Sequence, residues 1–157
     1  MQPVRILIVD DHEVMRGGLR SLLGSLPEWE VCGEAVDGVE AVDKAKELRP
    51  DVVVLDINMP ILNGLEAVRL IRKEVPHTQV VMLSRYEAAE MRAKALEAGA
   101  REYVPKSQHL ARELLAAIDE IVRQRWMSNP QAQVSSSESP TEGAPPAGAE
   151  AGKFGKP

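Results

Sequence analysis

Aromatic residues are almost missing from this chain, with two tryptophans, two tyrosines and one phenylalanine among 157 residues. A core built without them must be aliphatic, filled by Val, Leu, Ile, Met and Ala. Cysteine is scarce too. Cys32 has no second cysteine to pair with, which excludes an internal disulfide and fits a reducing compartment. Within the apolar pattern from Trp29 to Ala35 it reads as a small buried hydrophobe in a strand. No apolar run approaches membrane-spanning length, and the N-terminus lacks the apolar stretch of a secretion signal. A soluble, cytoplasmic protein without membrane contact is therefore expected. Positive charge is in deficit, 19 Lys and Arg against 24 Asp and Glu, for a net charge of −5. That argues against nucleic-acid binding by bulk electrostatics.

What is present is an ordinary globular balance, 44% hydrophobic and 27% charged, in a length that suits one domain. The chain is organised around Val52-Val53-Val54-Leu55-Asp56-Ile57-Asn58-Met59-Pro60. Val52 to Leu55 are apolar throughout and mostly β-branched, the mark of a strand buried on both faces of a parallel sheet. Asp56 falls where that strand ends, and Met59-Pro60 turns the chain. In open α/β sheets, ligands bind in the crevice at the carboxyl ends of the strands.

Strands and helices alternate around this stretch. Val4–Val9 reads as the first strand, closed by Asp10 and Asp11. Met15, Leu19, Leu22, Leu23 and Leu26 follow at helical spacing, with Asp11 or His12 as the cap and Pro27 as the stop. The Gly17-Gly18 pair weakens that helix and is expected to mark close packing on the sheet. Glu30–Ala35 is a second strand, and Asp37-Gly38 turns into a helix with Val39, Val42, Ala45 and Leu48 on its apolar side. After Gly64 a third helix carries Leu65, Val68, Ile71 and Val75 and breaks at Pro76. Gln79–Leu83 is the fourth strand, ending at Ser84, and a fourth helix covers Glu87–Ala98 with Gly99 just past its end. Glu102–Val104 is a fifth strand leading through Pro105 to Lys106, and the last helix runs from Leu110 to near Trp126. Five strand–helix pairs predict an α/β fold, a doubly wound parallel sheet with helices on both faces, over residues 1–127. From Ser128 the composition shifts to Ser, Pro, Gly and Ala, so 128–157 is expected to be a disordered tail.

The polar residues fall at strand ends. Asp10 and Asp11 close the first strand, Asp56 the third and Ser84 the fourth, while the fifth leads to Lys106. In a parallel sheet all these ends share one edge. Three carboxylates in one crevice repel one another unless a cation joins them. A hard divalent ion resolves the repulsion, and Mg²⁺ commonly takes one or two carboxylates, waters and a phosphate. A lysine and a hydroxyl beside it suit the phosphoryl oxygens. The pattern points to metal-assisted phosphoryl chemistry with an aspartate as nucleophile. His12 could also ligate a metal, although next to hard oxygen ligands a cap or surface role is commoner.

Asp10-Asp11, Asp56 followed by Met59-Pro60 and Gly64, Ser84, Tyr103 and Lys106 stand in the order and spacing of a known family. From about Val4 to Trp126 the chain resembles the receiver domain of two-component response regulators. Its Leu-Ile-Val-Asp-Asp-His opening and its Ala-Gly-Ala-Arg-Glu-Tyr-Val-Pro-Lys-Ser segment are most similar to receivers that precede a helix-turn-helix output. The resemblance implies a flavodoxin-like sheet of five strands in the order 2-1-3-4-5, flanked by five helices. It implies that Asp56 accepts a phosphoryl group from a histidine kinase or phosphotransfer protein. Asp11 and Asp56, with the main-chain carbonyl of Asn58, would hold Mg²⁺, and Asp10 would act partly through water. Lys106 would pair with Asp56 and then with phosphoryl oxygen. Ser84 would bond the phosphoryl group and draw its loop inward while Tyr103 turns toward the vacated space.

Such a domain is a signalling switch rather than an enzyme, and a phosphorylation-dependent homodimer is among its expected states. Two departures stand out. Pro105 precedes Lys106 where many relatives have a proline after it, so no cis proline is expected. Arg85 follows Ser84 where the family usually keeps a small residue, and its guanidinium is expected to shield the crevice mouth.

Two other readings remain. A magnesium-dependent phosphatase of the haloacid dehalogenase type also uses a strand-end aspartate, but it needs a second acid two residues on, where this chain has Asn58. An interaction module with a vestigial acidic pocket is disfavoured by the intact set of five residues. No helix-turn-helix pattern follows Trp126, so a stand-alone receiver or a fragment of a longer regulator is expected, with no DNA binding by this chain.

Overall fold

The run Val52–Asp56 forms the middle strand, β3, and all five of its residues are buried. A strand covered on both faces has no solvent side to satisfy, which is why the sequence there is unbroken and apolar rather than alternating. The computed structural model describes residues 2–86 and 89–127. In chain order the elements are β1 (Val4–Val9), α1 (Glu13–Gly24), β2 (Trp29–Ala35), α2 (Gly38–Leu48), β3, α3 (Gly64–Glu74), β4 (Gln79–Ser84), α4 (Ala89–Ala98), β5 (Glu102–Pro105) and α5 (Leu110–Met127). The expected tail over 128–157 lies outside the described residues, as do Glu87 and Ala88 where α4 was expected to begin.

The five strands form one sheet in the order β2-β1-β3-β4-β5, and every neighbouring pair is parallel. The expected fold class and order both hold. Because β2 and β3 lie on opposite sides of β1, the chain reverses its course across the sheet between β1 and β3. Such a reversal opens a crevice beyond the carboxyl ends of those two strands. The interior strands β1 and β4 are buried over Ile6–Val9 and Val80–Ser84, whereas the edge strand β2 is only half-buried. Leu7, Val9, Val53, Leu55, Val68, Ile71 and Met82 are among the fully buried residues of an aliphatic core, in which Tyr103 is the one aromatic side chain among the described residues. Residues Gln2–Ile121 form one compact unit, and Val122–Met127 at the end of α5 belong to a second.

Local chemistry sets the helix boundaries. Asp37 caps α2 by accepting the Glu40 N–H at 2.8 Å, and Glu40 in turn accepts the Val36 N–H at 2.8 Å, a reciprocal pairing akin to a capping box. Asn63 caps α3 through the Glu66 N–H at 3.0 Å. Gly99, with φ +121°, ends α4 in the left-handed region as its type predicts.

Three expectations are corrected. The Gly17-Gly18 pair does not pack closely on the sheet: a Cβ on Gly18 would meet nothing within 4 Å, and one on Gly17 only the tip of Arg20. Val39 is exposed rather than inward, because α2 faces the sheet through Ala41 and Ala45, about 200° and about 240° round the helix from Val39. Cys32 is half-buried rather than buried. Ile6 pairs with Val31 and Leu7 with Gly33, so Cys32 is the extra residue of a bulge on β2. Its partial burial still pushes the thiol pKa up, against the pull of Arg5.

Candidate functional site

Strand register brings the chemistry together. Val9 lies opposite Leu55, so the next residues, Asp10 and Asp56, emerge side by side at the crevice. Ser84 lies opposite Pro105, which delivers Lys106 one residue beyond the sheet, its N–H donating to the Ser84 carbonyl at 2.6 Å. The Lys106 ammonium donates to Asp10 Oδ2 at 2.9 Å and stands 3.3 Å from Asp56 Oδ1. The expected Lys106–Asp56 pair is present, and Asp10 is the nearer partner.

Asp10, Asp56 and Ser84 are buried polar side chains, an arrangement that is costly unless each group finds partners. Asp10 has them: Oδ2 takes Lys106, and Oδ1 accepts the His12 N–H at 2.9 Å. Arg16 adds a contact that sequence reading did not anticipate. Its guanidinium donates to the Asp10 carbonyl at 2.8 Å, and its Nε to Glu34 on β2 at 3.2 Å. For Asp56, burial pushes the carboxyl pKa up, Lys106 pulls it down and Asp10 pushes it up again. The Asn58 main-chain N–H also bonds the Asp56 carboxylate and favours its charged form. Asp10, Asp11, His12 and Asp56 each offer one ligand atom, all within 4.8 Å of one another, and so can hold a divalent cation. Hard carboxylate oxygens suit Mg²⁺.

The loop after Asp56 is held from several sides. The Ile57 N–H donates to the Leu83 carbonyl at 3.0 Å and the Gly64 N–H to the Ile57 carbonyl at 2.8 Å. A Cβ on Gly64 would stand 2.5 Å from the Asp56 carbonyl oxygen, so only glycine permits this approach. The Leu62 N–H bonds the Pro60 carbonyl at 2.7 Å around Ile61, whose φ is +71°. A γ-turn of this hand is rare, and it is strained for a β-branched residue. Ile61 is nonetheless 81% exposed, so the strain is not relieved by burial of its side chain.

Ser84 and Tyr103 meet through the next residue but one. The Ser84 Oγ accepts the Tyr86 N–H at 3.0 Å, and the Tyr103 hydroxyl donates to the Tyr86 carbonyl. The Tyr103 ring is buried, with the Arg92 guanidinium carbon 5.1 Å from its centroid. Arg85 is exposed. Beside the crevice, an apolar groove of about 490 Å³ runs between α1 and the start of α5, lined by His12, Val14, Met15, Leu19, Leu22 and Leu110. Gly18 faces the same groove, which accounts for the open space around it.

A parallel sheet with an aspartate–lysine crevice of this kind defines a phosphoacceptor module. The response regulator receiver domain model matches residues 6–119, and the chain belongs to that family. Its acid cluster and Lys106 bridges have the architecture of the family's phosphorylation and magnesium site.

Over 122 residues the chain is 46% identical to a protein-glutamate methylesterase/protein-glutamine glutaminase of Pyrococcus abyssi, covering 76% of this chain and 33% of that protein. It is 44% identical over 103 residues to the transcriptional regulatory protein LnrK of Bacillus subtilis, covering 66% of this chain and 47% of that protein. The crystal structure of the response regulator domain of Thermotoga maritima CheB superposes with a TM-score of 0.72 at 41% identity, over 78% of this chain and 98% of that one. The chain thus spans a third to a half of the length of these curated relatives, and what it shares with the methylesterase is the receiver, not the catalytic esterase domain. Family membership sets aside the dehalogenase-type phosphatase. No helix among the described residues is long and apolar enough to cross a membrane.

Proposed function

We propose that this protein is a phosphorylation-switched receiver whose Asp56 takes a phosphoryl group from a phosphohistidine donor. The observation that carries the reading is the Lys106 ammonium between Asp10 and Asp56, 2.9 and 3.3 Å away, at the edge where the strands end. In the transfer, an Asp56 carboxylate oxygen forms a P–O bond as the donor's P–N bond breaks, and the departing imidazole takes up a proton. Mg²⁺, when bound, neutralises the charge on the phosphoryl oxygens. Asp11, Asp56 and the Asn58 carbonyl would hold it, and Asp10, whose oxygens are already taken by Lys106 and the His12 main-chain N–H, would act through water. Lys106 then leaves Asp10 to pair with a phosphoryl oxygen, and the Ser84 hydroxyl bonds another.

The donor is a histidine kinase or phosphotransfer protein. Its seat is the apolar groove between α1 and α5, which shares His12 with the crevice and carries Val14, 89% exposed, on its rim. A donor helix laid there brings its phosphohistidine to Asp56. The signal leaves through the face of α4, β5 and α5, where a cleft of about 530 Å³ is lined by Arg92, Glu102, Tyr103, Glu113 and Glu120. That face also serves a phosphorylation-dependent homodimer, while the acidic chain itself does not bind DNA. The receiver comprises residues 1–127, acts in the cytoplasm, and does not need the tail for phosphorylation. Incubation with acetyl phosphate and Mg²⁺ tests the reading: one phosphoryl group per chain is expected, lost with chelator and in Asp56→Asn. Labelling unchanged by either would overturn it.

A further inference from the structure

We propose that His12 is a nitrogen ligand of the cation site, so that the site takes a borderline transition ion such as Mn²⁺ or Co²⁺ with an imidazole in its inner coordination sphere. The inference rests on reading the acid cluster as a cation site and adds a donor of a different chemical kind. His12 occupies the N-cap of α1, where a side chain ordinarily accepts a first-turn N–H, yet it makes no such bond. Its ring turns toward the acids, with Nδ1 3.1 Å from Asp11 Oδ1 and 3.3 Å from Asp10 Oδ1. With the ring proton on Nε2, the Nδ1 lone pair is available to join those oxygens on one cation.

The geometry is close to that of a bound ion. Bonds of about 2.1 Å in an octahedral site put neighbouring donors roughly 3.0 Å apart and opposite ones roughly 4.2 Å apart. Asp11, His12 and Asp56 each offer a donor in a group that lies within 4.8 Å, so a closure of some tenths of an ångström brings these three onto one ion. The backbone of His12 is already fixed by its N–H bond to Asp10 at 2.9 Å, while its side chain is 59% exposed and free to pivot. Asp10 is the acid least able to join the ion, because both of its oxygens are engaged. An imidazole at the neighbouring position supplies the missing donor. Hard Mg²⁺ gains little from a nitrogen ligand, whereas borderline ions favour one. His12 therefore acts on which ion binds more than on whether one binds.

Pulsed electron paramagnetic resonance of the Mn²⁺-loaded full chain tests this, with Mg²⁺ titrated as the competitor. Expected are a ¹⁴N coupling in the wild type, its loss in His12→Gln, and Co²⁺ binding weakened about tenfold or more in the variant. Mg²⁺ binding should change by less than about threefold. His12→Ala serves as the second variant and should behave alike. Mn²⁺ that Mg²⁺ displaces but that shows no nitrogen coupling overturns the inference and leaves the cation site standing. Mn²⁺ that Mg²⁺ does not displace, bound equally well by Asp56→Asn, overturns the cation site itself.

Discussion

Ser84 and Tyr103 hold the backbone of one residue from either side: the Ser84 hydroxyl takes the Tyr86 N–H, and the Tyr103 hydroxyl bonds the Tyr86 carbonyl. Movement at the crevice is thereby tied to a buried ring one strand away. A ligand shifts an equilibrium only through contacts that differ between states. Under the proposed function, a phosphoryl oxygen accepting the Ser84 O–H would provide one such contact. Ser84→Ala is expected to accept the phosphoryl group still, but to lose most of the amide shift changes around Tyr103. Equal shift changes in the variant, measured by NMR on phosphorylation, would route the coupling elsewhere.

Two glycines in helices should respond in opposite directions. A Cβ on Gly38 would stand 2.1 Å from the Leu62 carbonyl oxygen, and the obstacle is backbone of the loop that follows Asp56. Helix propensity favours alanine by about 1 kcal/mol, but overpacking costs about 1–3 kcal/mol. Because the loop must shift, Gly38→Ala is expected to lose stability and to slow phosphorylation. Gly18 meets nothing, so Gly18→Ala should gain about 0.5–1 kcal/mol in urea unfolding. A loss at Gly18 would contradict the open groove.

The acids should give opposite pH signatures. Burial raises the Asp56 pKa on folding, so its contribution is present in full below the unfolded value of about 3.9 and is lost as pH rises through the folded value. Asp56→Asn is therefore expected to be more stable than wild type at pH 7 without divalent cation, with the gap closing in acid. Glu34 runs the other way. Its hydrogen bond from Arg20 lowers its pKa, so it stabilises above the ordinary glutamate value and the contribution fades as pH falls. Urea unfolding of Asp56→Asn and Glu34→Gln across this range checks both signs.

Divalent cation should stabilise the fold by mass action, by about 2.7 kcal/mol when the ion stands at about a hundred times its dissociation constant. Asp11 belongs to the acid cluster and keeps an exposed flank, so Asp11→Asn should remove most of that gain without unfolding the protein. An unchanged thermal shift with Mg²⁺ in the variant would take Asp11 out of the site.

The fold and most of the site were legible because the informative residues sit at strand ends. A run such as Val52–Leu55 announces a doubly buried strand, and parallel topology then carries every strand-end polar residue to one edge. What stayed hidden depends on features without a periodic signature. The bulge at Cys32 is a register shift between two strands, invisible along either one. The Gly17-Gly18 pair looked like a packing device, but Gly18 borders a groove instead. Arg16 lies near the start of α1 like any solvated arginine, and only β2 beside it reveals the Glu34 and Asp10 contacts. The positive φ of Ile61 runs against its residue type, so no propensity argument reaches it.

Reductive trapping tests the central claim most directly. Borohydride converts an aspartyl phosphate to homoserine, and peptide mass spectrometry after acetyl phosphate and Mg²⁺ treatment reads its position. Asp56 is buried, flanked by Lys106 and bonded by the Asn58 N–H, whereas Asp10 is engaged at both oxygens. Homoserine is predicted at position 56 and at neither 10 nor 11. Homoserine at Asp10 or Asp11, or none anywhere under conditions that modify a known receiver, would contradict the account.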